Sequence, residues 1–362
     1  MASHGVRRYK ITEKTPEEKE RELRKINEYK SLERQVAEKV GPCRIAACCV
    51  TAKEYSAETL QEISDLLSRN PEYYTVWNYR RQVLQHRFSK EELSSSEIAE
   101  LISDDLTFLL PLLRSFPKCY WIWNYRVWLL DEARRLLPLD MSRQFWQQEL
   151  ALVSKMLTLD SRNFHGWGYR RLVVSTLQQI GTPTEAASLS KQEFEYAKKM
   201  IGANLSNFSA WHYRTKLILQ LLEEQSASDE ERRRMLNDEL ELIHQALIDP
   251  YDQSLWFYHQ NLMCVFDPTL APRTMAPNLS VSERVEYLRN EIVYIEEMLD
   301  GAEDCKYIYQ ALIECMLSIA KVVGQLSTED RSQILSWLSE VKQLDPLRKN
   351  RWLDFEKTLA TL

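Results

Sequence analysis

Tryptophan returns along this chain at a nearly constant interval. Trp77, Trp123, Trp167, Trp211 and Trp256 lie 46, 44, 44 and 45 residues apart. Each stands in a copy of one short pattern: Tyr74 to Arg81, Tyr120 to Arg126, Phe164 to Arg171, Phe208 to Arg214 and, in weaker form, Gln253 to His259. So regular a period indicates an array of one supersecondary unit, because such a unit buries its apolar face only against neighbours like itself.

Within each copy the spacing is helical. The aromatic three residues before the tryptophan (Tyr74, Tyr120, Phe164, Phe208) and the arginine three after it (Arg80, Arg126, Arg170, Arg214) are placed on one helix face. The tyrosine two residues after it (Tyr79, Tyr125, Tyr169, Tyr213, Tyr258) points elsewhere and can touch a second neighbour. Seven residues before the tryptophans stand Asn70-Pro71, Phe116-Pro117, Asp160, Asn204 and Asp249-Pro250. Proline cannot continue a helix and asparagine tolerates its left-handed end, so the chain breaks there. Asn163 and Asn207 stand where an N-cap restarts it. Each copy is therefore helix, tight break, helix. With only 8 glycines and no alternating β-branched run, the expected fold is all-α, a solenoid of stacked helical hairpins.

The tryptophans are expected to fill the space between stacked helices. A charge beside them is tolerated only when hydrogen-bonded, and carbonyls at the end of the preceding helix are the expected partners of the arginines. His259 takes the arginine's place in the fifth copy and is not expected to bond in the same way.

In chain order, residues 1–50 hold a tail and a charged outer helix near Pro16 to Val40, whose stripe of Leu23, Ile26, Tyr29, Leu32 and Val36 is narrow. Residues 51–362 form the repeat domain. Its helix pairs are expected near Ala57 to Arg87, Ser96 to Leu137, Met141 to Gln179, Glu185 to Glu224 and Asp229 to Phe266. A proline-rich surface loop follows from Asp267 to Ser280, then helices in which the period survives only in outline.

The formal charge of -6 is mild and mixed in sign, which gives no basic footprint for nucleic acid. Seven cysteines without paired metal spacing suit free thiols in a reducing compartment. No leader and no apolar run near 20 residues is visible, so a cytoplasmic protein with no direct membrane insertion is expected. Catalytic motifs are missing as well. Gly166-x-Gly168 lies inside a repeat helix with Arg171 in place of a third glycine; no zinc-protease motif or nucleophile turn is present. Taken alone, these features describe a helical-repeat scaffold.

The repeat itself resembles that of the protein prenyltransferase alpha subunits: Asn/Asp-Pro, an aromatic, Trp and Arg at a period near 45, where tetratricopeptide units have 34. Within that family the chain is most similar to the Rab geranylgeranyltransferase type. The segments carrying this are Asn163 to Arg171, Ser206 to Arg214 and Asp249-Pro250-Tyr251-Asp252-Gln253-Ser254-Leu255-Trp256-Phe257-Tyr258-His259, together with a short His-Gly opening. Members with an immunoglobulin-like insert and leucine-rich repeats exist, and this chain has room for neither.

The resemblance implies a right-handed α-α superhelix wrapped around a beta subunit that holds zinc and the isoprenoid pocket. The implied reaction moves geranylgeranyl from geranylgeranyl diphosphate to C-terminal cysteines of Rab GTPases presented by a Rab escort protein. It also implies that Lys118 faces the diphosphate, with Tyr120 and His165 on the same edge. Cys119 departs mildly from the Asn or small residue usual there. At Trp121 the enzymes reading CaaX peptides have an amide that binds the peptide carboxylate, which disfavours a farnesyl or type I enzyme. His4, in the tail, is a candidate ligand for the partner's zinc, since imidazole binds zinc well. An edge made to be wrapped leaves apolar surface exposed, so poor solubility of the isolated chain is expected.

Overall fold

The computed structural model describes residues 15–40, 55–89 and 93–361. His4 and the Cys43 to Val50 stretch lie outside the described residues. Helix α1 spans Pro16–Val40, and seven helix pairs follow. The first three are α2 (Ala57–Arg69) with α3 (Tyr74–Phe88), α4 (Ser95–Ser115) with α5 (Tyr120–Leu136), and α6 (Leu139–Leu159) with α7 (Phe164–Ile180). Next come α8 (Pro183–Ala203) with α9 (Phe208–Glu224) and α10 (Asp229–Ala246) with α11 (Gln253–Met263). The last are α12 (Val281–Glu297) with α13 (Lys306–Val323) and α14 (Thr328–Leu344) with α15 (Lys349–Thr361). No strand occurs among the described residues, so the all-α expectation holds. The chain divides between Thr182 and Pro183 into two compact units, α1–α7 and α8–α15.

The tight break in each hairpin has a clip that the period alone does not reveal. The indole N–H donates to the carbonyl six residues earlier: Trp77 to Pro71 (2.8 Å), Trp123 to Pro117 (2.9 Å), Trp167 to Ser161 (2.8 Å), Trp211 to Leu205 (2.8 Å) and Trp256 to Pro250 (2.6 Å). All five rings are buried, as expected, and a buried indole N–H needs this partner. Asn163 and Asn207 cap their helices, accepting from the backbone N–H groups of His165 and Gly166 and of Ala210 respectively.

Two further copies of the repeat follow, one with the same clip and one with a side-chain variant of it. Tyr309 in α13 donates from its hydroxyl to the Glu303 carbonyl, again six residues back. Trp352 in α15 follows Asp345-Pro346 at the spacing of Trp256 after Asp249-Pro250, and its indole donates to the Asp345 carboxylate at 3.2 Å.

The arginines correct one expectation. For Arg80, Arg126 and Arg214 the main partner is a carboxylate on the next hairpin. Arg80 forks onto Asp105 of α4, Arg126 onto Glu149 of α6 (2.9 and 2.5 Å), and Arg214 onto Glu239 of α10. The preceding helix receives only the remaining N–H, from Arg126 to the Leu106 carbonyl (3.0 Å) and from Arg80 and Arg170 to Ser64 and Ser154 (2.7 Å each). Each of these carboxylates also accepts a tyrosine hydroxyl from its own hairpin: Tyr125 on Asp105 (2.7 Å), Tyr169 on Glu149 (2.5 Å) and Tyr258 on Glu239. Burial opposes the charge of Arg126, and Glu149 more than offsets it, raising the guanidinium pKa. Burial beside the same carboxylate raises the Tyr169 pKa well above its ordinary value, so the phenol stays a donor.

Other differences have similarly local causes. The aromatics three before the tryptophans are the first residues of their helices and lie exposed, so they do not share the buried face of Trp and Arg. His259 does bond a carboxylate, Glu291 Oε2 at 3.0 Å, through one ring nitrogen where the arginines use two groups. The 267–280 segment is partly interior: Ala271, Met275, Ala276 and Leu279 are buried. Arg284 tethers it, donating to the carbonyls of Val265 (2.6 Å), Pro277 (2.9 Å) and Leu279 (3.0 Å). Gly166 packs on Leu157, where a Cβ would lie 3.0 Å from Cδ2.

Two predictions follow from these buried pairs. Glu149→Leu strands Arg126 in a buried site and is expected to cost about 3–5 kcal/mol, whereas Arg126→Leu with Glu149→Leu recovers most of that; urea unfolding of the two variants measures both. Glu291 is raised by burial, but His244 (2.8 Å) and His259 bond it and bring its pKa down to about 2. A carboxylate with a depressed folded pKa stabilises above the unfolded value of about 4.3 and loses that contribution as pH falls through the folded value. Thermal melts between about pH 4.3 and 2 are therefore expected to fall less steeply for Glu291→Gln than for the natural chain.

Candidate active-site edge

The candidate residues gather where α3, α5 and α7 begin. Starting a helix with an aromatic residue at its first position leaves that ring outside the core, since the buried stripe begins later in the turn. Tyr74, Tyr120 and Phe164 hold those positions and are 54%, 57% and 67% exposed. Their rings join into one row. Tyr74 meets Trp121 at 5.4 Å between centroids, Trp121 meets Tyr120 at 5.7 Å, Tyr120 meets His165 at 6.0 Å, and His165 meets Phe164 at 4.0 Å.

Lys118 stands beside this row in the break between α4 and α5. Its side chain is 45% exposed, with the ammonium 3.7 Å from Asp160 Oδ2. The three expected residues Lys118, Tyr120 and His165 thus share one edge. Burial lowers the His165 pKa; Glu72 pulls it back up and the Lys118 charge pushes it down again. At neutral pH the ring is accordingly favoured in its uncharged form, which donates through one nitrogen only.

Cys119 sits at the N-cap of α5 with no capping bond; its thiol points at the Pro71 carbonyl, 3.3 Å away. In the next hairpin Asn163 reaches the corresponding carbonyl, Pro117 (2.9 Å), and caps its helix as well. Cysteine therefore keeps the link between hairpins and gives up the cap. Burial pushes this thiol up to about 11, so it stays protonated and is no nucleophile.

Asp160 and Glu72 were not among the expected residues. Asp160 occupies the helix-stop column, where Asn70 and Asn204 serve the same turn, and only its distance to Lys118 sets it apart. The repeat residues Trp77, Arg80, Trp123, Arg126, Trp167, Arg170, Trp211, Arg214, Trp256 and Tyr258 are buried; they stack hairpins and do not reach this edge. Among the described residues no group of three or more His, Cys, Asp or Glu is placed to hold a metal ion, and no helix is long and apolar enough to cross a membrane.

Comparison with known proteins fits this arrangement. The family described as protein prenyltransferase alpha subunit repeat matches residues 56–87, 102–133, 146–177 and 190–221, four of the helix pairs. A geranylgeranyl transferase type-2 subunit alpha of Schizosaccharomyces pombe is 34% identical, the match covering 99% of each chain. The Homo sapiens protein of that name is 35% identical over 75% of this chain and 44% of its own length. A solved structure, Candida albicans protein geranylgeranyltransferase-I complexed with GGPP, has a TM-score of 0.58 at 20% identity, covering 92% of this chain and 91% of that one, a likeness of fold. By repeat, by near-complete coverage and by identity, the chain belongs to the protein prenyltransferase alpha subunits, in the group named geranylgeranyl transferase type-2 subunit alpha.

Proposed function

We propose that this chain is the alpha half of a heterodimeric protein geranylgeranyltransferase that moves geranylgeranyl from its diphosphate to C-terminal cysteines of Rab GTPases presented by an escort protein. The observation that carries the reading is the row Tyr74, Trp121, Tyr120, His165 and Phe164 with Lys118 beside it. Exposed rings in contact with one another form an apolar face of the kind that a partner covers. The partner is a beta subunit. Zinc held there would supply the acceptor cysteine as thiolate, and this chain has its own part in the same step.

As the bond between the isoprenoid carbon and the diphosphate breaks, negative charge builds on the leaving oxygens. The Lys118 ammonium, half in solvent before assembly, becomes a stronger stabiliser once the beta subunit excludes water from this edge. The Tyr120 hydroxyl and the one N–H of neutral His165 offer further donors. Asp160 lies 3.7 Å from the ammonium, and so open a pair contributes little and leaves the lysine's charge available. Trp121 is engaged by rings on both sides and has a single indole N–H where the CaaX-reading enzymes have an amide NH2 that donates to the peptide carboxylate, which speaks against a CaaX substrate.

Two outcomes test this reading. The chain purified with its beta subunit is expected to transfer labelled geranylgeranyl to an escorted Rab protein and not to a CaaX peptide; transfer to the peptide would assign it to the CaaX-reading enzymes. In the same complex Lys118→Ala is expected to lower kcat by about 10²-fold with a smaller effect on KM, the pattern of a group that acts on developing charge; single-turnover transfer measures it.

A further inference from the structure

One cavity of the second unit has no part in that edge. Its volume is about 220 Å³, and it is lined where α11 and α13 begin and where the 3-10 turn Pro346–Arg348 leads into α15. Helix starts carry partial positive charge, and cations add to it here. Lys306 (3.0 Å) and Arg348 (3.4 Å) share a single carboxylate, Asp345, so two cations are matched by one anion. Arg351 stacks its guanidinium over Trp352 at 5.1 Å and contributes a third.

Glu314 of α13 is the other acid in the lining, accepting from the Gln260 amide at 2.9 Å. Burial pushes its carboxyl up to about 7, with Arg351 alone pulling it back, so much of it is protonated at neutral pH. His259, from α11, is committed to Glu291. Apart from the His259–Glu291 pair of α11 and α12, the groups facing Glu314 are Lys306 from α13 and Asp345, Arg348 and Arg351 from the α15 end, and their balance is positive. Phe257 lines the same cavity and is also part of an exposed aromatic pair with Phe208, 5.9 Å between centroids. The cavity is thus continuous with exposed rings at helix starts in this unit.

We propose that this cavity is a socket for an acidic side chain of the beta subunit. A carboxylate seated there completes the pairing of Arg348 and Arg351 and accepts a hydrogen bond from protonated Glu314, while Phe257 packs against the stem. A cationic side chain would meet three cations and is excluded on charge. The proposal rests on the reading that a beta subunit covers the exposed rings.

Subunit affinity tests it, measured by exchange of a labelled alpha chain in the assembled heterodimer. Arg348→Glu with Arg351→Glu is expected to weaken assembly by about tenfold or more, and Arg234→Glu with Arg289→Glu, exposed on α10 and α12, to leave it unchanged. Glu314→Gln at pH 8 removes a negative charge from the socket and is expected to tighten assembly a few-fold, a gain that a misfolded variant cannot produce. Weaker assembly for Glu314→Gln would mean a cationic occupant and overturn the proposal. Equal affinity for all variants would overturn it too. Failure of the natural chain to assemble with any beta subunit would overturn the reading beneath it.

Discussion

A carboxylate shared between two hairpins is the contact on which the rest of the structure depends. Asp105, Glu149 and Glu239 each take an arginine from the preceding hairpin and a tyrosine from their own. Desolvating an arginine and a carboxylate costs nearly what their attraction returns, so such a pair adds little net stability over apolar side chains of the same size. What it does set is register. A hairpin seated one turn out of place would leave an arginine and a carboxylate both buried and unmatched, and that error is far more costly than a poorly packed leucine. Tryptophans supply apolar area; the ionic triads decide which surfaces meet.

Fixed register is what makes the candidate edge possible. Lys118, Tyr120 and His165 come from two hairpins, and their common placement depends on α5 and α7 being held at one height, where Asn163 reaches the Pro117 carbonyl and Tyr169 reaches the carboxylate that Arg126 holds. The helix starts carry the exposed rings, and the buried triads sit a turn or more further along. Structural residues and candidate site residues therefore alternate within a single eight-residue pattern, which is why every copy looks alike while only some of them contribute to the candidate edge.

Much of this was legible in the sequence. The period gave the hairpins, the Asn/Asp-Pro stops gave the breaks, and Asn163 and Asn207 were identified as caps from position alone. Arginine partners were not legible, because the carboxylates lie 23 to 25 residues further on, in helices with no tryptophan to mark register. Tyr309 and Trp352 escaped for another reason: the partly buried 267–280 segment shifts the phase, and a tyrosine hydroxyl does in the sixth copy what the indole does elsewhere. Lys118 is a candidate only through likeness to a family. A half-exposed lysine at a helix start has no local sign of function, and the ring row that frames it is a property of three helices together.

The clip between each tryptophan and the carbonyl six residues before it bears on how the chain acquires its shape. Closing so short a loop takes little entropy, and the bonds that join one hairpin to the next span only some 23 to 55 residues. Contacts this local let each hairpin form as it leaves the ribosome, with the next docking onto a finished template. Growth from a completed end, one hairpin at a time, leaves no stage at which distant strands of chain must find one another.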